Sequence, residues 1–143
     1  MDDPREEIRR VIEQRLAAIR NKDAKAALSS LASDVVAFEM VPPLALPPGA
    51  ARDLDAFAAW LEGLEEIDLE LRDLIVEAGG DLGFARSLNH LQAIGKAGRR
   101  VDLWMRSTLC FRREAGEWKI VHAHTSVPFY PGGEAKAAID LQP

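Results

Sequence analysis

The stretch Leu103-Trp104-Met105-Arg106-Ser107-Thr108-Leu109-Cys110-Phe111-Arg112-Arg113, followed after Glu114-Ala115 by Gly116-Glu117-Trp118-Lys119-Ile120-Val121-His122-Ala123-His124-Thr125-Ser126-Val127-Pro128-Phe129, decides how this chain folds. Both halves carry β-branched and aromatic residues, and Glu114-Ala115-Gly116 between them is a turn. The pattern predicts two strands, Arg99 to Arg113 and Glu117 to Val127. Working backwards, Lys96-Ala97-Gly98 and Gly79-Gly80-Asp81 are turns of the same kind, and they bound a further strand from Leu82 to Ile94. Before it, Ile67, Leu69 and Leu71 alternate with acids, and the phase slips at Arg72-Asp73 before Leu74 and Val76. A slip of one residue predicts a β-bulge, which bends its strand. Four long strands in succession form a meander, and strands of this length twist and curl.

Upstream the period is helical. Asp3 caps a helix with Pro4 in its first position, and Ile8, Val11, Ile12, Leu16 and Ile19 recur along it to about Asn21. Asp23 caps a second helix carrying Ala24, Ala27, Leu28 and Leu31, closed by Asp34, and Val35 to Met40 reads as a strand. The two Pro-Pro pairs of Val41 to Gly49 predict a stiff, extended, ordered flap with Leu44 and Leu46 packed down. Asp53 caps a third helix, with Leu54, Phe57, Ala58 and Leu61 inward and Gly63 at its end. Helices first and strands after make the fold class α+β, in one domain over residues 1–143.

The composition narrows the partners. With 18 basic and 23 acidic residues the net charge is −5, which argues against nucleic acid, where phosphate neutralisation carries most of the affinity. Lys96, Arg99 and Arg100 sit at a hairpin tip and read as a solvated cluster. No apolar run reaches the length of a membrane span, and Met1-Asp2-Asp3-Pro4 is acidic where a signal peptide is basic. One cysteine, Cys110, cannot form an internal disulfide. The expectation is a cytoplasmic protein without a membrane partner.

The ending, with Gly116-x-Trp118 leading to His122-x-His124-x-Ser126-x-Pro128, resembles the last strands of SnoaL-like, ketosteroid-isomerase-like proteins of the nuclear-transport-factor-2-like superfamily. Asn21-Lys22-Asp23 between two helices and Val41-Pro42-Pro43 before a glycine and a helix agree with it. The resemblance spans about Glu7 to Phe129. It implies a cone: three helices packed on a strongly curved, mostly antiparallel sheet around a pocket, with the outer sheet face forming a homodimer. It does not imply one chemistry, because the scaffold hosts many.

Residue by residue, the resemblance carries over incompletely. The ketosteroid isomerase base falls near Glu39, but the tyrosine expected on the first helix is absent, the only tyrosine being Tyr130. No acid occupies Arg106-Ser107-Thr108-Leu109-Cys110, and Ala123 stands where many relatives have Glu. The third strand offers Ser87, Asn89 and His90 instead of an Asp-Arg-Asp set. Trp104, Arg106 and Thr108 share one strand face, and His122, His124 and Ser126 share one of theirs. A bulge reverses parity, so which face lines the pocket stays open. The candidate catalytic residues are His124 and Glu39; the candidate ligand contacts are Phe38, Trp60, Asn89, Trp104, Arg106, His122 and Ser126. A pocket-facing Arg106 would be a buried cation holding a carboxylate or enolate. The bland readings are hydrogen-bonded structural histidines, a paired Arg106 and tryptophans in the core or an interface. No metal and no cofactor are expected. The function expected is binding of a small hydrophobic carbonyl or carboxylate compound, with isomerisation, cyclisation or dehydration as candidate reactions. The other reading is a non-catalytic assembly domain with a vestigial pocket.

Overall fold

The computed structural model describes residues 2–143. Helix α1 runs Pro4–Arg20; the Asp3 carboxylate accepts from Arg5 N, and Asn21 closes the far end. Ile8, Ile12 and Ile19 are buried on one side of it. Helix α2, Ala24–Leu28, is capped by Asp23 and is short. The hydroxyls of Ser29 and Ser30 donate to Ala26 O and Ala27 O, which satisfies carbonyls that another turn would use. Strand β1 therefore occupies Leu31–Phe38, four residues earlier than expected, and takes in Leu31 and Asp34. Its pairing with the last strand shifts between Leu31 and Val36, so both Leu31 and Ala32 are buried. That irregularity removes the alternation by which a strand is recognised.

The proline-rich segment differs from the expected extended flap. Met40 to Ala45 passes through consecutive bends, Pro42–Pro43 is cis, and Leu44 is 97% exposed. Only the returning half docks: Leu46 N donates to Ala37 O and Gly49 N to Val35 O, covering the free edge of β1. Gly49 has φ +80, and a Cβ there would stand 2.8 Å from Ser33 O, so this approach needs glycine. A 3-10 turn at Ala50–Arg52 leads into α3, Leu54–Glu62, capped by Asp53 and ended by Gly63. Within α3 only Leu61 is fully buried, and Leu54 points outward.

Strands β2 (Leu64–Gly79), β3 (Leu82–Gly95), β4 (Arg100–Glu114) and β5 (Glu117–Ser126) follow as a meander. The sheet order is β1-β5-β4-β3-β2, with β1 parallel to β5 and every other pair antiparallel. The β2–β3 register shifts between Arg72 and Ile75, and Asp73 has φ +58, so the bulge lies where the sequence slips. A second shift interrupts β4–β5 at Cys110/Phe111.

Register sorts the side chains onto two faces. The row Val76–Ala85–Leu109–Ala123–Ala37 lies on one face, and Ile75–Arg86–Thr108–His124–Phe38 lies on the other. The first face turns toward α1, where Ile8, Val35, Phe111 and Ile120 form a core without solvent contact. Trp118 Nε1 donates to Glu7 Oε2 at 2.8 Å, and the Arg113 guanidinium lies 4.7 Å from the indole ring centre, which ties α1 to β4 and β5.

Candidate functional site

Between α1 and the inner face a cavity of about 30 Å³ remains, walled by Ile12, Leu16, Leu69, Leu71, Leu74 and Leu109. Its polar lining comes from Arg15 of α1, Ser87 and Asn89 of β3, and Ser107 of β4. Ser87 and Ser107 are register partners, and Asn89 is two residues along, so three polar side chains stand together in an apolar surface. Asn89 and Ser107 are both buried. The Ser87 hydroxyl donates to Asn89 Oδ1 at 2.6 Å, which engages the amide oxygen and leaves the NH2 as the remaining donor of this cavity-lining side chain.

Arg15 completes this wall. Arg15 is half-buried and also lines the surface groove of Arg10 and Gln14, while its Nε is shut in and, among the described residues, has no hydrogen-bond partner. Burial pulls the guanidinium below its usual range, and Glu39 opposes this only through space. Arginine stays charged regardless. The helical spacing places it here: Arg15 is three residues after Ile12 and four before Ile19, both buried, so it stands on the apolar stripe of α1.

Of the candidate catalytic and ligand-contact residues named from the sequence, Asn89 alone lies at this cavity, beside Ser87 of the same strand. Arg106 is exposed on the outer face, in register with Leu88 and Ser126, and so is not the buried cation expected of it. Trp104 stacks on His90 at 4.6 Å between ring centres, and His90 Nε2 lies 2.7 Å from Asp102 Oδ1, all on the outer face. The C-terminal segment lies across this side: Ala138 N donates to Pro128 O, and Leu141 and Pro143 line a hollow with Trp104 and Arg106. His122 Nδ1 lies 2.7 Å from Val36 O, with Phe38 edge-on at 4.6 Å. Trp60 stacks on Phe57 and is half exposed on α3.

Four candidates do meet elsewhere. Phe38, Glu39, His124 and Ser126 line a groove of about 530 Å³ at the rim of the sheet, roofed by Met40, Leu44 and Ala45. Thr125, in the same groove, is the register partner of Ser107 in the inner cavity, whereas Phe38, His124 and Ser126 belong to the outer rows, and the two concavities share no lining residue. Among the described residues no group of three or more His, Cys, Asp or Glu side chains is placed to hold a metal ion. No helix among them is long and apolar enough to cross a membrane.

Three helices over a five-stranded curved sheet place the chain in the nuclear-transport-factor-2-like class. A family model for SnoaL-like domains matches residues 8–130, and the chain belongs to that family. An NTF2-like protein of unknown function from Pseudomonas putida KT2440 is similar at 30% identity, covering 98% of this chain and 96% of that one, with a TM-score of 0.84. A protein of Shewanella frigidimarina, provisionally named a ketosteroid isomerase, is 26% identical over 82% of this chain and 92% of its own, with a TM-score of 0.63. A ketosteroid isomerase-like protein of Erwinia carotovora shares the fold at 19% identity, over 88% and 97% of the two chains, with a TM-score of 0.70. No curated protein matches the chain.

Proposed function

We propose that this chain binds a small, largely apolar carbonyl or carboxylate compound, with its polar end in the inner cavity and its apolar body toward the rim. The observation that carries this is the Ser87–Asn89–Ser107 patch, three polar side chains in an interior that packing alone would fill with apolar ones. Buried polar groups are normally satisfied, and an amide whose oxygen is engaged internally leaves its NH2 for an occupant. Glu39 and His124, together in the rim groove and His124 from the outer row of the sheet, are the side-chain types that move protons, and any isomerisation, cyclisation or dehydration is assigned to the part of the compound that reaches that groove. The apolar residues exposed on the outer face support a homodimer through that face, and the single Cys110 fits a cytoplasmic protein.

Asn89→Leu tests the reading, because it keeps the volume and removes the hydrogen bonds. Ligand-observed NMR with aromatic and alicyclic ketones and carboxylates should detect binding to the wild type and a loss of about tenfold or more in the variant. Binding that survives in Asn89→Leu, or no binding by any compound of the set, would remove the proposal. A second reading, an assembly domain with a vestigial pocket, is favoured by the small volume of the cavity, about 30 Å³.

A further inference from the structure

The binding reading leaves the charge of the occupant open, and the inference below rests on that reading. We propose that the inner cavity is a carboxylate site and that Arg15 is the residue that selects an anionic ligand over a neutral carbonyl one.

The groups that face the cavity are donors. Arg15 Nε–H is buried and unpartnered, and the Asn89 NH2 is left over after Ser87 takes the amide oxygen. Ser107 adds a hydroxyl that orients to suit. A wall of donors with one fixed positive charge calls for an occupant made of acceptors with one negative charge. Leucine and isoleucine walls keep the dielectric low, so a charge-assisted bond here is stronger than at the surface. No carboxylate of the chain takes the position: among the described residues none forms a salt bridge with Arg15, and Glu39 reaches it only through space. A half-buried guanidinium whose shut-in Nε–H has no partner carries a desolvation cost, and an anion in the cavity would remove it.

Size fixes the class. One water needs roughly 10–15 Å³ of such space, so about 30 Å³ holds two waters or the two oxygens of one carboxylate. A phosphate or sulfate is larger and brings up to two charges to one cation. The apolar part of the molecule cannot fit in this volume and would extend beyond it, on this proposal toward the rim groove lined by Met40, Leu44 and Ala45.

Two probes of one shape separate the possibilities: cyclohexanecarboxylate, and cyclohexyl methyl ketone as its neutral counterpart. The wild type should bind the carboxylate at least about tenfold more tightly, Arg15→Met should abolish that preference, and Arg15→Lys should keep part of it. In the wild type, the Arg15 Nε–H resonance in a ¹⁵N spectrum should shift on titration with cyclohexanecarboxylate; this readout needs no variant and decides the matter even where Met at position 15 does not fold. Equal binding of the two probes, or binding of the ketone alone, overturns the carboxylate assignment and leaves the binding reading standing. Binding of neither probe, with no shift of the resonance, overturns both.

Discussion

The two faces of the sheet are made from alternate residues of the same strands, and they treat the same residue type in opposite ways. On the inner face, beneath α1, Val76, Ala85, Met105 and Phe111 are buried, and every polar group among them needs a partner. On the outer face Ile75, Phe84 and Leu82 are 39%, 43% and 63% exposed, next to Arg72, Arg86 and Arg106 in the register rows. Arg106 stands in water and makes no demand on the fold. Arg15, covered by the inner face, has an unpartnered Nε. Residue type does not distinguish these two arginines. Coverage does, and function is better sought where a polar group is covered without being satisfied.

Truncating one aromatic on each face sets the scale of the contrast. Phe111 is 1% exposed, so Phe111→Ala should destabilise by about 3–5 kcal/mol, whereas Phe84→Ala should change stability by less than about 1 kcal/mol. Denaturant titrations of both variants give the two numbers. Phe84→Glu adds a second reading, because a charge in an apolar interface weakens self-association. Sedimentation should show a homodimer for the wild type and a shift toward monomer for this variant. A monomeric wild type, or similar costs for both alanines, would break the distinction between a core face and an interface face.

A smaller effect separates the arginines. Replacing a half-buried cation whose Nε lacks a partner removes its desolvation cost, so Arg15→Met should leave the melting temperature unchanged or slightly raised. Arg106→Met should leave stability within about 0.5 kcal/mol, as for other surface changes. A marked loss in Arg15→Met would mean that the guanidinium supports the fold, and the case for a ligand-facing cation would weaken with it.

The sequence made the meander legible because its turns and alternation are strong: the expected turns at 79–81, 96–98 and 114–116 and the bulge near Asp73 all lie where the structure has them. The start of β1 was hidden because its register shift breaks alternation. The faces of the last strand were hidden for the same reason, since the shift at Cys110/Phe111 puts Trp118 and Ile120 on the inner face but His122 and His124 on the outer. β4 did hold a usable signal: Val101, Leu103, Met105, Leu109 and Phe111 form one apolar row, and Ser107 is the exception in it. That row marks the inner face and excludes Arg106 from it. Arg15 was likewise readable, as the one charged residue on the Ile8–Ile12–Ile19 stripe of α1. A polar residue out of phase with its own apolar pattern was the better guide; the histidines and Arg106 drew attention by chemistry alone.

The smallest expected effect concerns pH, and it belongs to the exposed side. Arg112, on the outer row of β4, lies 3.0 Å from Asp34 Oδ1 and 2.8 Å from Glu114 Oε1. The hydrogen bond from Arg112 is the largest of the influences that hold the Asp34 carboxyl below the usual aspartate range. A carboxyl whose pKa is depressed by folding contributes stability that is fully present above its unfolded value, about 3.9, and is lost as pH falls through the folded value. Arg112 has its own pKa raised by the same contact and stays protonated throughout this window, so Asp34 supplies the proton dependence. The wild type should therefore melt slightly above Asp34→Asn from neutral pH down to about pH 5, and the two curves should converge as pH falls through the folded value. The gap stays small because solvent screens the pair and Glu114 still holds Arg112 in the variant. Scanning calorimetry across that range reads the convergence directly. Curves that stay parallel to the lowest pH would mean that Asp34 titrates alike in the folded and unfolded chain, and that the ion pair on the open side contributes nothing to stability.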